Sequence, residues 1–225
     1  MEYKNVTFAD VENSLEFQTY IRKGNDVLGV FGFTDHSAGH TKKIAHVASE
    51  MLLTMGYPER DAELAKIAGF IHDIGNMVNR VDHAQTGALM AFHVLSNMGM
   101  HPEEIATVVS AVGNHDEKHG KAIDHISAAL IIADKTDVRR SRVRNKDLNN
   151  FDIHDRVNYA VEEANLKIDT RKDKNIIRLI LKIDKSICPV MDYFEIFLDR
   201  MLLCKNAAKF LNGEFQLNIN EAKLL

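Results

Sequence analysis

The sequence predicts a mainly α-helical protein, with an all-helical core and a small C-terminal α+β appendage. Helical periodicity and helix-ending residues dominate from Thr7 to about Val138. After about Asn149, the segments "EANLKID" and "NIIRLILKID" alternate apolar and polar residues around the polar turn "TRKDKN", a pattern typical of a β-hairpin. We therefore place a helical domain at residues 1–150 and a hairpin, a helix and a strand at residues 151–225.

Composition and charge are those of an ordinary globular protein. Of the 225 residues, 45% are hydrophobic and 27% are charged, and the formal net charge is −4. This charge gives no bulk attraction to nucleic acid or to an anionic membrane, and no apolar run approaches the roughly 20 residues that span a bilayer. Because the N-terminus lacks a signal-peptide pattern and Cys188 and Cys204 lie far from any CxxC spacing, we expect a cytoplasmic protein with reduced thiols.

Capping residues, prolines and glycines set the predicted helix boundaries. Thr7 and Asp10 predict the start of a lead-in helix through "VENSLEFQTYIRKG", after which "NDVLGVFGF" is predicted as a loop or a short extended piece. The following helices of the core end at glycines or begin at prolines, and Gly75 is taken as one of these helix ends. We place these helices, and the helix of the appendage, at about residues 36–55, 58–74, 83–98, 102–115, 122–138 and 190–211.

Five of these helices place a histidine or an aspartate in line with the apolar stripe, mostly near a helix end. Residues three, four, seven or eight positions apart share one helix face, so each of these polar residues continues a buried face. Helices that pack through their stripes bring such ends together. The residues concerned are His36, His40, His72, Asp73, His83, His115 and Asp134.

A single histidine on an apolar face is usually a satisfied core residue, and we assign that role to His125. We assign surface or boundary positions to His46, His93, His101 and His119. Core packing does not readily explain why five helices each place a histidine or an aspartate in line with the apolar stripe. A metal cluster explains it directly, because imidazoles and carboxylates supply nitrogen and oxygen ligands and the cation cancels buried negative charge.

Five segments of the core occur in a characteristic order: "HTKKIAHVASEML", "AGFIHDIGN", "HAQTGALMAF", "VVSAVGNHDE" and "IIADKTD". Together, over about Asp35 to Asp137, they resemble the HD-domain superfamily of metal-dependent phosphohydrolases. The resemblance implies that the metal-binding positions are His40, His72, Asp73 and Asp134. It further implies that His83 and His115 match the additional histidines of members that hold two ions.

Members that hydrolyse cyclic dinucleotides usually carry a lysine after "HDIG" and a later Gly-Tyr-Pro motif. Here Asn76 takes the place of the lysine, and no Gly-Tyr-Pro follows. The resemblance therefore gives little support to that substrate. The mixed nitrogen and oxygen ligand set suits one or two divalent ions of Fe, Mn, Ni or Zn better than Ca.

The resemblance implies hydrolysis of a phosphate ester by a metal-activated water. The substrate would be a small phosphorylated metabolite or a nucleotide, as a monoester or a diester. Asp73 is the predicted shared ligand, and Asp116 or His36 is a candidate to position or deprotonate the water. Basic residues at helical spacing past Asp134 are candidates to meet the substrate phosphate, or they form a solvated basic face. They are Lys135, Arg139 and Arg142.

Two other functions fit the same ligand pattern. A minority of the superfamily uses this set as a di-iron centre that activates O₂, so an oxygenase is an alternative. A non-catalytic, metal-stabilised module that senses a nucleotide or binds a partner is the other. The appendage, with its "VMDYFEIFLDRM" helix, is compatible with a homodimer interface, a lid or packing within one chain.

Overall fold

An all-helical core precedes a small sheet that carries one long helix. The structure is a computed structural model that describes residues 3–145 and 147–225. Its helices are α1 (Phe8–Glu12), α2 (Leu15–Val30), α3 (Ala38–Thr54), α4 (Glu59–Ile71), α5 (His83–Met98), α6 (Pro102–Gly113), α7 (His125–Lys135), α8 (Ile153–Ala160) and α9 (Val190–Ala208). Its strands are β1 (Val161–Asp169), β2 (Asn175–Ile183), β3 (Gly213–Ile219) and β4 (Ala222–Lys223).

The core is centred on α3 and α4, which lie in close contact. A Cβ atom on Gly69 of α4 would lie 2.8 Å from the Cα atom of Ala45 in α3. The absence of a side chain at Gly69 thus lets the two helix backbones approach, and the apolar stripe of α3, with Ile44, Ala48 and Met51, is fully buried. This close packing fixes the positions of the helix ends that carry the polar residues.

The N-terminal lead-in differs from its prediction. The capping box of Thr7 and Asp10 is confirmed, but it starts only the short helix α1. The stretch predicted as a loop after Gly24 is helical as far as Val30, so that prediction was wrong. Gly24 lies inside α2, and a Cβ atom at this position would be only 3.2 Å from the backbone nitrogen of Met77. Gly24 therefore permits close packing and does not end the helix.

The helix expected to end at Gly75 also differs. It ends at Ile71 and is followed by a short 3₁₀ helix, Ile74–Met77. A Cβ atom on Gly75 would overlap the carbonyl oxygen of His83, at the start of α5. Gly75 is needed for this close approach of the 3₁₀ helix to α5.

The appendage contains the predicted hairpin, helix and strand. Strands β1 and β2 pair antiparallel, β3 runs parallel to β2, and the sheet order is β1-β2-β3-β4. Helix α8 was not predicted. At its start, the Asp152 side chain accepts a hydrogen bond from the Asp155 backbone nitrogen at 2.7 Å. Helix α9 packs against α7, and one apolar cluster includes buried residues of both helices. The predicted division at residue 150 stays a prediction.

Neither cysteine is paired in a disulfide in the structure. Cys188 and Cys204 are both buried and free. Among the residues that the structure describes, no helix combines the length and the apolar character that crossing a membrane requires.

Candidate metal centre

The structure brings all of the predicted metal ligands to one place, at the ends of the packed core helices. The imidazoles and the Asp73 carboxylate are almost fully buried, each 7% exposed or less. The cluster consists of His40 in the first turn of α3, His72 and Asp73 directly after α4, His83 at the start of α5, His115 after α6, and Asp134 near the end of α7.

Asp73 lies at the centre of this cluster, and its carboxylate oxygens face different histidines. Oδ2 is 3.1 Å from Nε2 of His72 and 3.9 Å from Nε2 of His40. Oδ1 is 3.3 Å from Nε2 of His83 and 3.8 Å from Nε2 of His115. The carboxylate therefore divides the cluster into two halves and has an oxygen for each.

The first half consists of His40, His72 and Asp134. Oδ1 of Asp134 lies 3.5 Å from Nε2 of His40 and 3.6 Å from Nε2 of His72. Ligand atoms about 2.1 Å from an ion in tetrahedral geometry are about 3.4 Å apart, so these spacings suit a common ion. Both Nε2 atoms are buried and have no hydrogen-bond partner among the described residues, so neither atom is satisfied by the chain's own groups.

The second ring nitrogen of each histidine is already engaged. Nδ1 of His72, His83 and His115 lies 2.8, 3.0 and 2.6 Å from the carbonyl oxygens of Gly69, Arg80 and Val112, respectively. Because a carbonyl oxygen only accepts hydrogen bonds, Nδ1 carries the proton, and the lone pair of a neutral imidazole is then on Nε2. This is the tautomer in which histidine binds a metal through Nε2.

His40 is held by a carboxylate, that of Asp137. Nδ1 of His40 donates to Oδ2 of Asp137 at 2.8 Å, and Nζ of Lys43 donates to Oδ1 at 2.7 Å. Burial opposes ionisation of Asp137, but the hydrogen bond from His40 and the charge of Arg142 keep its pKa well below its ordinary value. Asp137 was not among the predicted site residues, and no helical spacing marked it, because α7 ends at Lys135 before it.

The second half consists of His83 and His115, whose Nε2 atoms are 3.2 Å apart. Nη1 of Arg80 lies 3.3 Å from Nε2 of His83, so a cation bound at that atom would have to displace this contact. Nδ2 of Asn76 donates to Oδ1 of Asp73 at 2.8 Å and orients the shared carboxylate. Arg80 and Asn76 were missed as site residues, because neither is a usual metal ligand.

The charges of the cluster favour a cation. Burial disfavours the ionised forms of Asp73 and Asp134, yet their basic neighbours, His72 and Lys135 foremost, hold both pKa values well below normal. Burial alone would lower the pKa of His72, but the two carboxylates raise it to about 10. In the metal-free protein a proton on His72 thus supplies positive charge. The buried nitrogen and oxygen donors fit a divalent transition-metal ion.

The two remaining candidates for acid–base chemistry lie at the edges of the cluster. Nε2 of His36 is 3.8 Å from Oδ2 of Asp73, and His36 lines the adjoining cavity. Burial and the charge of Arg142 keep the pKa of His36 well below normal, so its ring is neutral at pH 7. Oδ1 of Asp116 is 4.0 Å from Nε2 of His83. His36 therefore faces the first half, and Asp116 borders the second.

The basic residues after Asp134 were predicted at helical spacing. They do not share one helix face, because α7 ends at Lys135. Lys135 and Arg142 line the cavity beside the cluster, whereas Arg139 lines a different one. Nζ of Lys135 lies 2.8 Å from both Glu117 and Asp134. Arg139 has an extended backbone, and its Nε lies 2.7 Å from Oδ1 of Asp137, behind His40.

A cavity of about 290 Å³ opens onto the cluster. Its wall combines basic groups with aromatic rings from the loop after α2 and from α9, and the start of α8 adds polar groups that include the carboxylates of Asp152 and Asp155. The basic residues are Arg80, Lys135, Arg142 and Arg200, and the rings are Phe31, Phe33 and Phe197. Arg200 and Phe197 come from the appendage, where the sequence gave no sign of a site.

Two relatives of known sequence are similar to parts of this chain. An uncharacterised protein of Methanocaldococcus jannaschii is 25% identical over 198 residues, which cover 77% of this chain and 75% of that protein. Ribonuclease Y of Latilactobacillus sakei is 31% identical over 117 residues, which cover 51% of this chain but 20% of that enzyme. The second likeness is therefore confined to a small part of the ribonuclease.

A solved structure and a family comparison complete these findings. The crystal structure of a predicted HD superfamily hydrolase from an uncultured Thermotogales bacterium matches 55% of this chain and 67% of its own, with 25% identity and a TM-score of 0.43. Residues 37–139 match the sequence model of the HD domain. This segment contains the whole histidine and aspartate cluster. Residues 37–139 therefore carry an HD domain.

Proposed function

We propose that the chain is a metal-dependent phosphohydrolase that cleaves a phosphate ester of a small metabolite or nucleotide. One observation carries the proposal: the Asp73 carboxylate faces histidines on both sides, at the floor of a cavity with a basic wall. Such a floor suits metal ions, and the basic wall suits an anionic substrate. The local likeness to a ribonuclease agrees with a phosphate ester as the target bond.

The ions would be held by the two halves of the cluster, with Asp73 shared between them. When bound, such ions lower the pKa of a coordinated water towards about 7 and offset negative charge on phosphoryl oxygens. Among the chain's own groups, Nε2 of His36 is unprotonated, because Nδ1 donates to the carbonyl oxygen of Thr34 at 2.7 Å. His36 would accept a hydrogen bond from the attacking water and orient it. Asp116 is the corresponding acceptor beside the second half.

The basic wall would bind the substrate phosphate. Arg142 braces the site, because Nε donates to the carbonyl oxygen of Asp35 and Nη1 to that of Asp137, both at 2.9 Å. Arg80 stacks over the ring of Phe33, 5.6 Å from its centre, at the cavity beside the second half. The cavity volume of about 290 Å³ suits a small ester better than a polymer.

A metal-loading and hydrolysis screen tests this proposal. The protein would be loaded separately with Mn, Fe, Ni and Zn and assayed on p-nitrophenyl phosphate, bis-p-nitrophenyl phosphate and nucleoside monophosphates. We expect metal-dependent release of product that Asp73→Ala abolishes. His93→Ala, which removes an exposed histidine far from the cluster, serves as the matched control and should retain activity.

The same screen separates the two alternatives. An oxygenase would require iron, change its absorption spectrum with O₂ and release no phosphate. A non-catalytic module would bind a nucleotide and leave it intact with every metal. Either result would overturn the phosphohydrolase proposal.

A further inference from the structure

Arg200 differs from the other basic residues of the cavity wall because it lies outside the HD domain. It is on α9, in the appendage, whereas Arg80 and Lys135 lie within residues 37–139 and Arg142 lies three residues past the end of that segment. The long helix of the appendage thus reaches the cavity beside the metal cluster. The predicted metal ligands, which all lie in the helical core, do not explain why this helix lines the cavity.

The basic residues also differ in how fully their hydrogen-bond donors are used. Arg142 is engaged by two backbone carbonyl oxygens, and Lys135 lies between two carboxylates. Arg200 donates from Nε to Oε1 of Glu117 at 3.0 Å. In the part of the chain that the structure describes, its terminal nitrogens make no hydrogen bond. They are available to a ligand in the cavity that Arg200 lines.

The guanidinium of Arg200 is held in place before any ligand binds. Glu117 accepts the hydrogen bond from Nε, and the guanidinium carbon lies 4.8 Å from the centre of the Phe197 ring one turn earlier on α9. Phe197 is buried, and the Arg200 side chain is 26% exposed. A fixed, planar group with two free nitrogens binds two oxygens of one anion and loses little rotational freedom.

We propose that Arg200 binds the substrate phosphate with its two terminal nitrogens, so that the appendage completes the substrate site of the HD domain. This inference rests on the proposed function, since it names a phosphate-binding residue of the same cavity. Glu117 is the positioning residue of Arg200, because its Oε1 accepts the hydrogen bond from Nε of Arg200. Its other oxygen, Oε2, contacts Lys135 and keeps the carboxylate in place.

Binding of inorganic phosphate tests the inference without requiring turnover. The Mn-loaded wild type would be titrated calorimetrically with phosphate, beside Arg200→Gln, Arg200→Lys and the control Arg156→Gln. Arg156 is a matched arginine on α8 that pairs with Asp192 of α9 at 3.5 Å and does not line the cavity. We expect Arg200→Gln to weaken phosphate binding about tenfold or more, Arg200→Lys to weaken it less, and Arg156→Gln to leave it unchanged.

Wild-type phosphate affinity in folded Arg200→Gln protein would overturn the inference. If that variant does not fold, Arg200→Lys decides, and an unchanged phosphate affinity in the lysine variant would overturn the two-nitrogen contact. The two proposals fail separately. Arg200-dependent phosphate binding without hydrolysis of any ester would refute only the phosphohydrolase. Hydrolysis together with unchanged phosphate binding in Arg200→Gln would refute only the role of Arg200.

Discussion

The two halves of the cluster share Asp73 but differ in their other partners. The first half adds the carboxylate of Asp134, and its His40 is backed by a further carboxylate. The second half has two imidazoles in mutual contact and a guanidinium, that of Arg80, 3.3 Å from one of them. The additional carboxylates favour metal binding in the first half, because Lys135 contacts Oδ2 of Asp134 and leaves Oδ1 facing the histidines. We therefore expect the first half to bind its ion more tightly.

Removal of the shared carboxylate should have the largest effect. Asp73→Ala takes an oxygen from each half, so we expect loss of most of the bound metal and a fall in activity of at least about 100-fold. Metal content per chain, measured by mass spectrometry after gel filtration, checks this. Asp26→Ala, at an exposed aspartate paired with Lys23, should keep wild-type metal content. Full metal content in Asp73→Ala would show that Asp73 is not a ligand.

Variants confined to one half should separate the two ions. We expect Asp134→Ala to lose the tightly bound ion, and His83→Ala to retain about one ion per chain while losing the second. The reason is that each variant leaves the ligands of the opposite half intact. Titration of metal-free protein with Mn(II), followed by electron paramagnetic resonance, measures both affinities. Equal losses in the two variants would contradict the proposed difference between the halves.

The carboxylate behind His40 should tune the first half alone. Asp137→Asn keeps the shape of the side chain but removes the charge that holds the His40 ring, so we expect metal affinity to fall by about 10- to 100-fold. The matched control is Asp61→Asn, since Asp61 accepts a 2.8 Å hydrogen bond from His125 away from the cluster. An unchanged affinity in Asp137→Asn would mean that packing alone orients His40.

The pH dependence of metal binding should also distinguish the halves. The carboxylates raise the pKa of His72 to about 10, so near neutral pH an ion entering the first half must displace a proton. Its apparent affinity should rise with pH, by up to about tenfold per unit between about pH 7 and 9. Burial lowers the pKa of His115 to about 4, so His115 adds no such dependence in the second half.

Calorimetry in buffers of different ionisation enthalpy measures the protons released with each ion. We expect about one proton with the first ion near pH 8. No proton release with that ion would contradict a protonated His72 in the metal-free protein.

The sequence predicted the cluster well because helix periodicity carries the required information. His72 and Asp73 follow a buried stripe, and the face-sharing rule then pointed to the other helix ends. Asp137 was missed because a second acid close to Asp134 has no distinctive spacing in the sequence. Arg200 was missed because its approach to the cavity depends on how α9 packs against α7, which periodicity alone does not specify.

The errors in the fold have a related cause. Gly75 was interpreted as a helix end, and the predicted lead-in helix stopped at Gly24, but each glycine is a point where two backbones meet closely. Glycine serves both purposes, and a single sequence does not distinguish a turn from a close contact. The short helix α8 was missed because its capping aspartate precedes few apolar residues.

Anomalous diffraction from crystals grown with saturating Mn(II) would locate the bound ions. We expect two peaks, one on each side of the Asp73 carboxylate. The first would adjoin Nε2 of His40 and His72, and the second would adjoin Nε2 of His83 and His115. A single peak bound through one oxygen of Asp73, or peaks only outside the cluster, would contradict a metal centre of two halves.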